Sequence, residues 1–345
     1  LKGKKTTIHE IAKELNTTAS TVSRALNNNP RISEETKKKV FAMAEKLGYE
    51  PNTMAASLRK GRSQIIGIIV PYADRIFFSS VIRGIEEEVK KSGYNVIICQ
   101  SYEKIDNEID DVNALLSAQV AGIIISLSRE TSTYDHLKKV IQKNKTLVLF
   151  DRTTDALNTS CVAIDDYQGA YSSVSHLIEN GYKKIAFFSG NKKVSIFRER
   201  FRGYLAALKD HNLPVVDDYI IEVPSDVEQG KLVTEKLMSL PVKPDAIFSS
   251  SDFSALGATK WLLQNNYRIP EDIGIVGFGN DPFTQYLEPT ISSVDQKGKE
   301  MGKTAAQVFL EQVEGRNSIH RKVLLSPELI IRESSTKRSI NKMVI

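Results

Sequence analysis

The sequence predicts a two-part chain: a small all-α headpiece of helix-turn-helix type, then a larger α/β body built as two doubly wound parallel-sheet lobes. Three observations carry this expectation. The chain has 345 residues, more than one ordinary domain needs and comfortable for a small domain plus a large one. Apolar spacing follows a helical period from Ile8 to Leu47 and changes after Ile65 to short apolar runs alternating with helical stretches. Charge is lopsided: residues 1–63 hold 13 Lys+Arg against 6 Asp+Glu, whereas the remainder holds 34 against 36. Positive charge gathered at one end is the electrostatic footprint of a phosphate-binding module.

The elements follow in order. Ile8, Ile11, Ala12 and Leu15 share one face of a first helix, broken by Asn16-Thr17-Thr18. A second helix turns Val22, Ala25 and Leu26 inward and stops at Asn27-Asn28-Asn29-Pro30. A third opens at Ser33, a natural N-cap, buries Val40, Met43, Ala44 and Leu47, and ends at Gly48. Pro51 to Arg59 is long enough for two helical turns, marginal alone, and Lys60-Gly61-Arg62-Ser63 reads as a linker. Strands are expected at Ile65–Val70, Asn95–Gln100, Gly122–Ser126, Thr146–Phe150, Lys184–Ser189, Ala246–Ser250 and Ile273–Phe278. Helices are expected at Ser79–Ser92, Asn107–Ala118, Tyr134–Lys143, Gln168–Asn180, Phe197–His211, Val227–Ser239 and Phe253–Asn265. Nearly all-apolar strands alternating with helices mean parallel sheets covered on both faces. The expected boundaries are 1–50 for the headpiece, 51–63 for hinge helix and linker, 64–336 for the two-lobed body and 337–345 for a frayed tail.

Composition narrows the function classes. At 41% hydrophobic and 26% charged, the chain is ordinary globular protein. No apolar run approaches the roughly 18 residues of a membrane span, and the N-terminus shows no signal-peptide core, so a cytoplasmic protein is expected. Cys99 and Cys161 sit in apolar runs without a CxxC neighbour, as buried free thiols would; no metal or cofactor is expected. Glycine-rich nucleotide loops, His-Glu-x-x-His and Gly-x-Ser-x-Gly are absent, and the five histidines are scattered, which argues against an enzyme. Asp165-Asp166 and Asp217-Asp218 read as loop charges.

With Val22, Ala25 and Leu26 turned inward, the opposite face of the second helix shows Ser20, Ser23, Arg24 and Asn27, with Ala19 at its start. Small side chains there permit close approach to base edges, and Arg24 reaches guanine or phosphate. Thr17 and Thr18, with nearby backbone N–H groups, fall close to phosphates. Thr7-Ile8-His9-Glu10-Ile11-Ala12, Thr21-Val22-Ser23-Arg24-Ala25-Leu26-Asn27 and Leu47-Gly48-Tyr49-Glu50-Pro51-Asn52 together resemble the lactose-repressor (LacI/GalR) family of regulators. The resemblance continues through Gly181-Tyr182-Lys183-Lys184-Ile185-Ala186-Phe187, Arg200-Phe201-Arg202-Gly203-Tyr204, Asp252-Phe253-Ser254-Ala255-Leu256-Gly257, Ile269-Pro270-Glu271-Asp272-Ile273 and Pro327-Glu328-Leu329-Ile330-Ile331-Arg332-Glu333-Ser334, in family order.

The resemblance implies more than the residues alone. It makes the body a sensor with the periplasmic-binding-protein-like fold, and the chain a homodimeric regulator, a repressor by default, of double-stranded operator DNA. It makes residues 51–59 a hinge helix whose leucine, here Leu58, wedges into a central minor-groove step. It implies DNA contacts at Thr7, Thr17, Thr18, Ala19, Ser20, Ser23, Arg24, Asn27, Asn52, Ala55, Leu58 and Arg59. It implies an effector, sugar-like by default, held between the lobes by Phe77, Phe78, Arg152, Arg200 and Asp252; either Asp281, two residues beyond Gly279, substitutes for the missing family Asp, or the pocket takes a different ligand. Aromatic faces suit sugar rings, and Arg and Asp give directional bonds to hydroxyls. Three positions depart from the family pattern: Ala56 where hinges often carry Arg, Arg75-Ile76 where Asn-Pro is common, and Gly279 where an Asp usually faces the ligand. A transport sugar-binding protein without a DNA role is the alternative; the basic helix-turn-helix argues against it.

Overall fold

The computed structural model describes residues 6–49, 63–315 and 319–337. The chain divides into two compact units, residues 1–63 and 64–345. The first contains α1 (Ile8–Glu14), α2 (Ala19–Leu26) and α3 (Glu34–Lys46). Each helix start is chemically marked. Thr7 precedes α1 and its N–H donates to Glu10 Oε2 (2.9 Å). Thr18 and Ser33 accept from Thr21 N and Thr36 N across the first turns of α2 and α3. Ile11, Ala12, Val22, Ala25, Val40 and Ala44 make a small core, with Leu26, Met43 and Leu47 packed half-buried at its edge.

The second unit holds two six-stranded sheets. The first is ordered β11-β5-β4-β3-β1-β2 and is parallel throughout. Its strands are β1 (Ile65–Val70), β2 (Asn95–Gln100), β3 (Gly122–Ile125), β4 (Thr146–Phe150), β5 (Ser160–Ile164) and β11 (Lys322–Leu325). Side chains alternate along β1. Ile66, Ile68 and Val70 join one core with α4 (Ile76–Lys91) and α11 (Gly298–Val313). Ile69 joins the core on the opposite face, with α5 (Ile105–Ser117) and α6 (Asp135–Gln142).

The second sheet is ordered β12-β10-β9-β8-β6-β7, with only β12 antiparallel. It comprises β6 (Ile185–Ser189), β7 (Ile220–Glu222), β8 (Ala246–Ser249), β9 (Gly274–Gly279), β10 (Ser292–Asp295) and β12 (Glu328–Ile330). Helices α7 (Asp166–Glu179) and α8 (Ser195–Asp210) cover the face carrying Ile185 and Phe187. Helices α9 (Val227–Met238) and α10 (Asp252–Gln264) cover the face carrying Ala186 and Phe188. The chain crosses between lobes three times: between β5 and α7, between β10 and α11, and between β11 and β12.

All seven expected strands and ten expected helical stretches of the described residues are present, three strands with the expected ends and the other elements with ends moved by no more than three positions. Five strands and one helix were not anticipated. Three of the strands, β7, β11 and β12, are short. β10 hides its burial behind hydroxyls: Ser292 and Ser293 are fully buried but satisfied by Arg332 O and Asp252. β5 lies within the apolar run around Cys161. α11 carries Met301, Ala305 and Phe309 at helical spacing, diluted by Gly302 and Ala306. Cys161 is buried as expected, whereas Cys99, on the edge strand β2, is half-exposed. The hinge stretch 51–62, with Asn52, Ala55, Leu58 and Arg59, and most of the tail lie outside the described residues.

Candidate DNA-reading helix and interlobe cleft

In the first unit, α1 ends on Leu15, and Asn16 takes the left-handed conformation (φ 50°) that turns the chain sharply. Thr17 N then donates back to Ala12 O (2.9 Å), fixing the turn, and Thr18 starts α2. Val22 and Ala25 anchor α2 in the core, so Ser20, Arg24 and Asn27 are left exposed, with Ala19 and Ser23 half-exposed at the margins. Asn27 donates its side-chain amide to Ser23 O (2.7 Å). Among the described residues no carboxylate lies at ion-pair distance from Arg24, which leaves its guanidinium available to an outside acceptor. Thr7 and Thr18 are exposed at helix N-termini, where backbone N–H groups and the helix dipole favour a phosphate.

In the second unit, a cleft of about 360 Å³ opens between the lobes. Its lining follows from the topology, because nearly every wall residue lies just beyond the carboxyl end of a strand. β1 leads to Tyr72, Arg75, Phe77 and Phe78; β2 to Glu103; β3 to Arg129; β4 to Asp151 and Arg152. From the other lobe, β6 leads to Asn191, Phe197 and Arg200, β7 to Glu222 and Asp226, β8 to Ser250, Ser251 and Phe253, and β9 to Gly279 and Asp281. Gln296 comes from the crossover after β10.

Two of the arginines are fixed before any ligand arrives. Arg152 grips Glu103 with both terminal nitrogens (2.6 and 3.0 Å) and donates to Leu127 O (3.2 Å). Its Nε is buried without a hydrogen-bond partner and lies 3.8 Å from Asp151 Oδ2. Burial would push the Glu103 carboxyl up, but Arg152 holds it below the ordinary value. Asp151, beside it, adopts φ 59° and is pushed up by burial, with Arg152 and Arg200 opposing. Arg200 donates to Asp166 Oδ1 (2.8 Å), Ser250 O (2.9 Å) and Gln296 Oε1 (3.3 Å), and its guanidinium carbon stacks 3.6 Å from the centroid of Phe278.

Phe77, Phe78, Arg152, Arg200 and Asp281 thus lie together on the cleft, although Phe78 belongs equally to the lobe core, packed edge-on against Phe150. Asp252 does not line the cleft. It is fully buried behind the wall, where its carboxylate accepts from Ser293 Oγ (2.7 Å) and Asp281 N (2.8 Å), so it braces the loop that carries Asp281. The Asp165-Asp166 pair is no loop charge. Asp165 caps α7 by accepting from Gln168 N (2.9 Å), and Asp166 is the buried counter-ion of Arg200. Sequence reasoning passed over Tyr72, Glu103, Arg129, Phe197, Phe253 and Gln296. The available signal was positional: all fall within a dozen residues of a strand's end.

A helix-turn-helix with a free recognition face and a body with an arginine-lined interlobe cleft define a class: ligand-responsive DNA-binding regulators. Residues 7–52 match the family described as bacterial regulatory proteins, lacI family, and residues 63–334 that of periplasmic binding proteins and sugar binding domain of LacI family. The NTD biosynthesis operon regulator NtdR of Bacillus subtilis (strain 168) is 34% identical over 95% of this chain and 99% of its own length. Catabolite control protein A of Priestia megaterium is 32% identical over 96% and 99%. The fold is that of the lac repressor dimer bound to operator and the anti-inducer ONPF, at TM-score 0.87 and 21% identity over 97% of this chain and 100% of that one. The chain belongs to the LacI family of DNA-binding transcriptional regulators and is not an enzyme.

Proposed function

We propose that this chain is a homodimeric repressor that binds a palindromic operator and changes affinity when a small polar ligand, sugar-like in chemistry, enters the interlobe cleft. The observation that carries the reading is the pairing, in one chain, of an exposed helix bearing Arg24 with a cleft whose volume sits at the small end of known ligand sites. On DNA, Ala19, Ser20, Ser23, Arg24 and Asn27 face base edges, and Thr7, Thr17 and Thr18 hold phosphates. Residues 51–59 supply the hinge, Leu58 wedging a central step with Asn52, Ala55 and Arg59 beside it. One such helix reads few bases, so two copies on a two-fold site supply specificity. In the cleft, Arg152 and Arg200 present fixed donors and Phe77 and Phe78 an apolar floor, with Asp281 at the rim. Ligand changes the lobe angle and so the spacing of the two DNA-reading units. The protein acts in the cytoplasm, where its DNA is.

Selection of binding sites from a random duplex library with the intact protein tests the reading. A recovered palindrome with a flexible pyrimidine–purine step at its centre is expected. Binding that stays sequence-blind and salt-sensitive, with and without cell metabolites, would overturn it.

A further inference from the structure

Arg75 stands at the N-cap of α4 in the first lobe, yet its guanidinium carbon lies 4.9 Å from the ring centroid of Phe253, which opens α10 in the second. Phe253 is backed in turn by Phe283, edge-on at 5.2 Å. Phe283 follows Asp281 on the loop after β9, and Arg75 is close enough for its charge to oppose the upward push of burial on the Asp281 carboxyl. That loop is itself fixed, because Asp281 N donates to buried Asp252, whose other oxygen takes Ser293 Oγ. Arg75 is the cleft arginine without a committed counter-ion: Arg152 and Arg129 share Glu103, and Arg200 holds Asp166. Among the described residues no carboxylate lies at ion-pair distance from it. The rims complement each other more widely. Arg75 and Arg129 edge the first lobe, and Glu222, Asp226 and Asp281 edge the second.

We propose that Arg75, Phe253 and Asp281 form a latch across the cleft mouth that holds the two lobes closed, so that an effector must release it to enter or leave. A cation over an aromatic face is attracted by the ring quadrupole even at an exposed site, and the nearby Asp281 charge adds a longer-range attraction of the same sense. Opening the lobes separates the guanidinium from the ring and from that charge at once.

The test is the lobe-to-lobe distance in the ligand-free full chain. Spin labels are carried on noncanonical residues at exposed Glu86 of α4 and exposed Lys260 of α10, leaving both cysteines native. Labelled protein is diluted with excess unlabelled protein so that each measured pair lies in one chain. The native latch gives a short, narrow distance distribution. Arg75→Ala and Arg75→Asp each give a longer, broader one, and Arg75→Asp combined with Asp281→Arg returns it toward the native distance. Unchanged distances in Arg75→Ala, or a double variant as open as Arg75→Asp alone, would overturn the latch. Arg75 is exposed, so the variants fold, which equal thermal midpoints check. Because no ligand is added, the result is independent of what the effector is.

Discussion

Two residues illustrate how differently a side chain announces its role. The exposure of Arg24 was readable because it depends on local spacing alone: α2 buries Val22 and Ala25, and Arg24 has to point away. Arg24→Ala is expected to weaken operator binding roughly ten- to hundredfold, the usual cost of one bidentate base contact, in fluorescence-anisotropy titrations at fixed salt. Arg24→Lys should retain the salt-dependent binding to random DNA yet lose most of the discrimination, since an ammonium cannot make the fork. The burial of Asp252 was not legible, because its sequence neighbourhood is a strand end, the place where ligand residues sit, while its side chain turns into the lobe. Only packing reveals that. Burial pushes its carboxyl up to about 7 from an ordinary 3.8. The sign follows from proton binding. Between these values the folded chain holds a proton that the unfolded chain has lost, so this group's stabilising contribution is complete below about pH 4 and disappears as pH rises through 7. Thermal midpoints measured from pH 5 to 8 should therefore fall less in Asp252→Asn than in the native protein. Equal slopes would mean that Asp252 is ionised throughout.

At the scale of elements, the helices that flank each sheet were legible from periodicity, but the way they touch was not. Gly84 of α4 and Gly302 of α11 lie where the two backbones meet: a Cβ on Gly302 would come 2.1 Å from Val81 O, and one on Gly84 2.2 Å from Lys299 O. The other lobe repeats the device, with Gly230 and Gly257 at the contact of α9 with α10, and Gly203 at that of α8 with α7. The same small residues that permit this approach thinned the apolar signal of α11, which is why that helix escaped the sequence. Hydroxyls did likewise for β10, since a buried serine reads as polar until its partner is known. Gly302→Ala should force α11 away from α4 and cost about 1–3 kcal/mol, the range for overpacking a tight contact. The measurement is the thermal midpoint of the full chain. Since α11 is reached by a crossover from the other lobe, the variant should also shift the lobe-to-lobe distance, whereas an alanine at exposed Glu235 of α9 should change neither.

At the scale of the molecule, the architecture was visible in outline because charge and periodicity change at the same place, near residue 63, where the structure also divides into two units. What the sequence could not show is that the body returns to its first lobe after building most of its second, since β11 and α11 follow β10 in the chain but join the first sheet and its core. That return makes the 64–345 unit self-sufficient: both sheets and all four large cores lie within it, and every crossover begins and ends there. Among the described residues the first unit has six buried core residues, near the lower limit for independent stability. Deleting residues 1–63 should therefore leave the thermal transition of the remainder within a few degrees of the native one while abolishing operator binding. The reciprocal fragment, residues 1–63 alone, should bind DNA weakly and melt broadly, because its core is small and it lacks the second copy that the proposed two-fold site requires. A truncated body that unfolds would show that the headpiece contributes to its stability, and a truncated body that still selects the operator would place the DNA-reading surface on the α/β lobes.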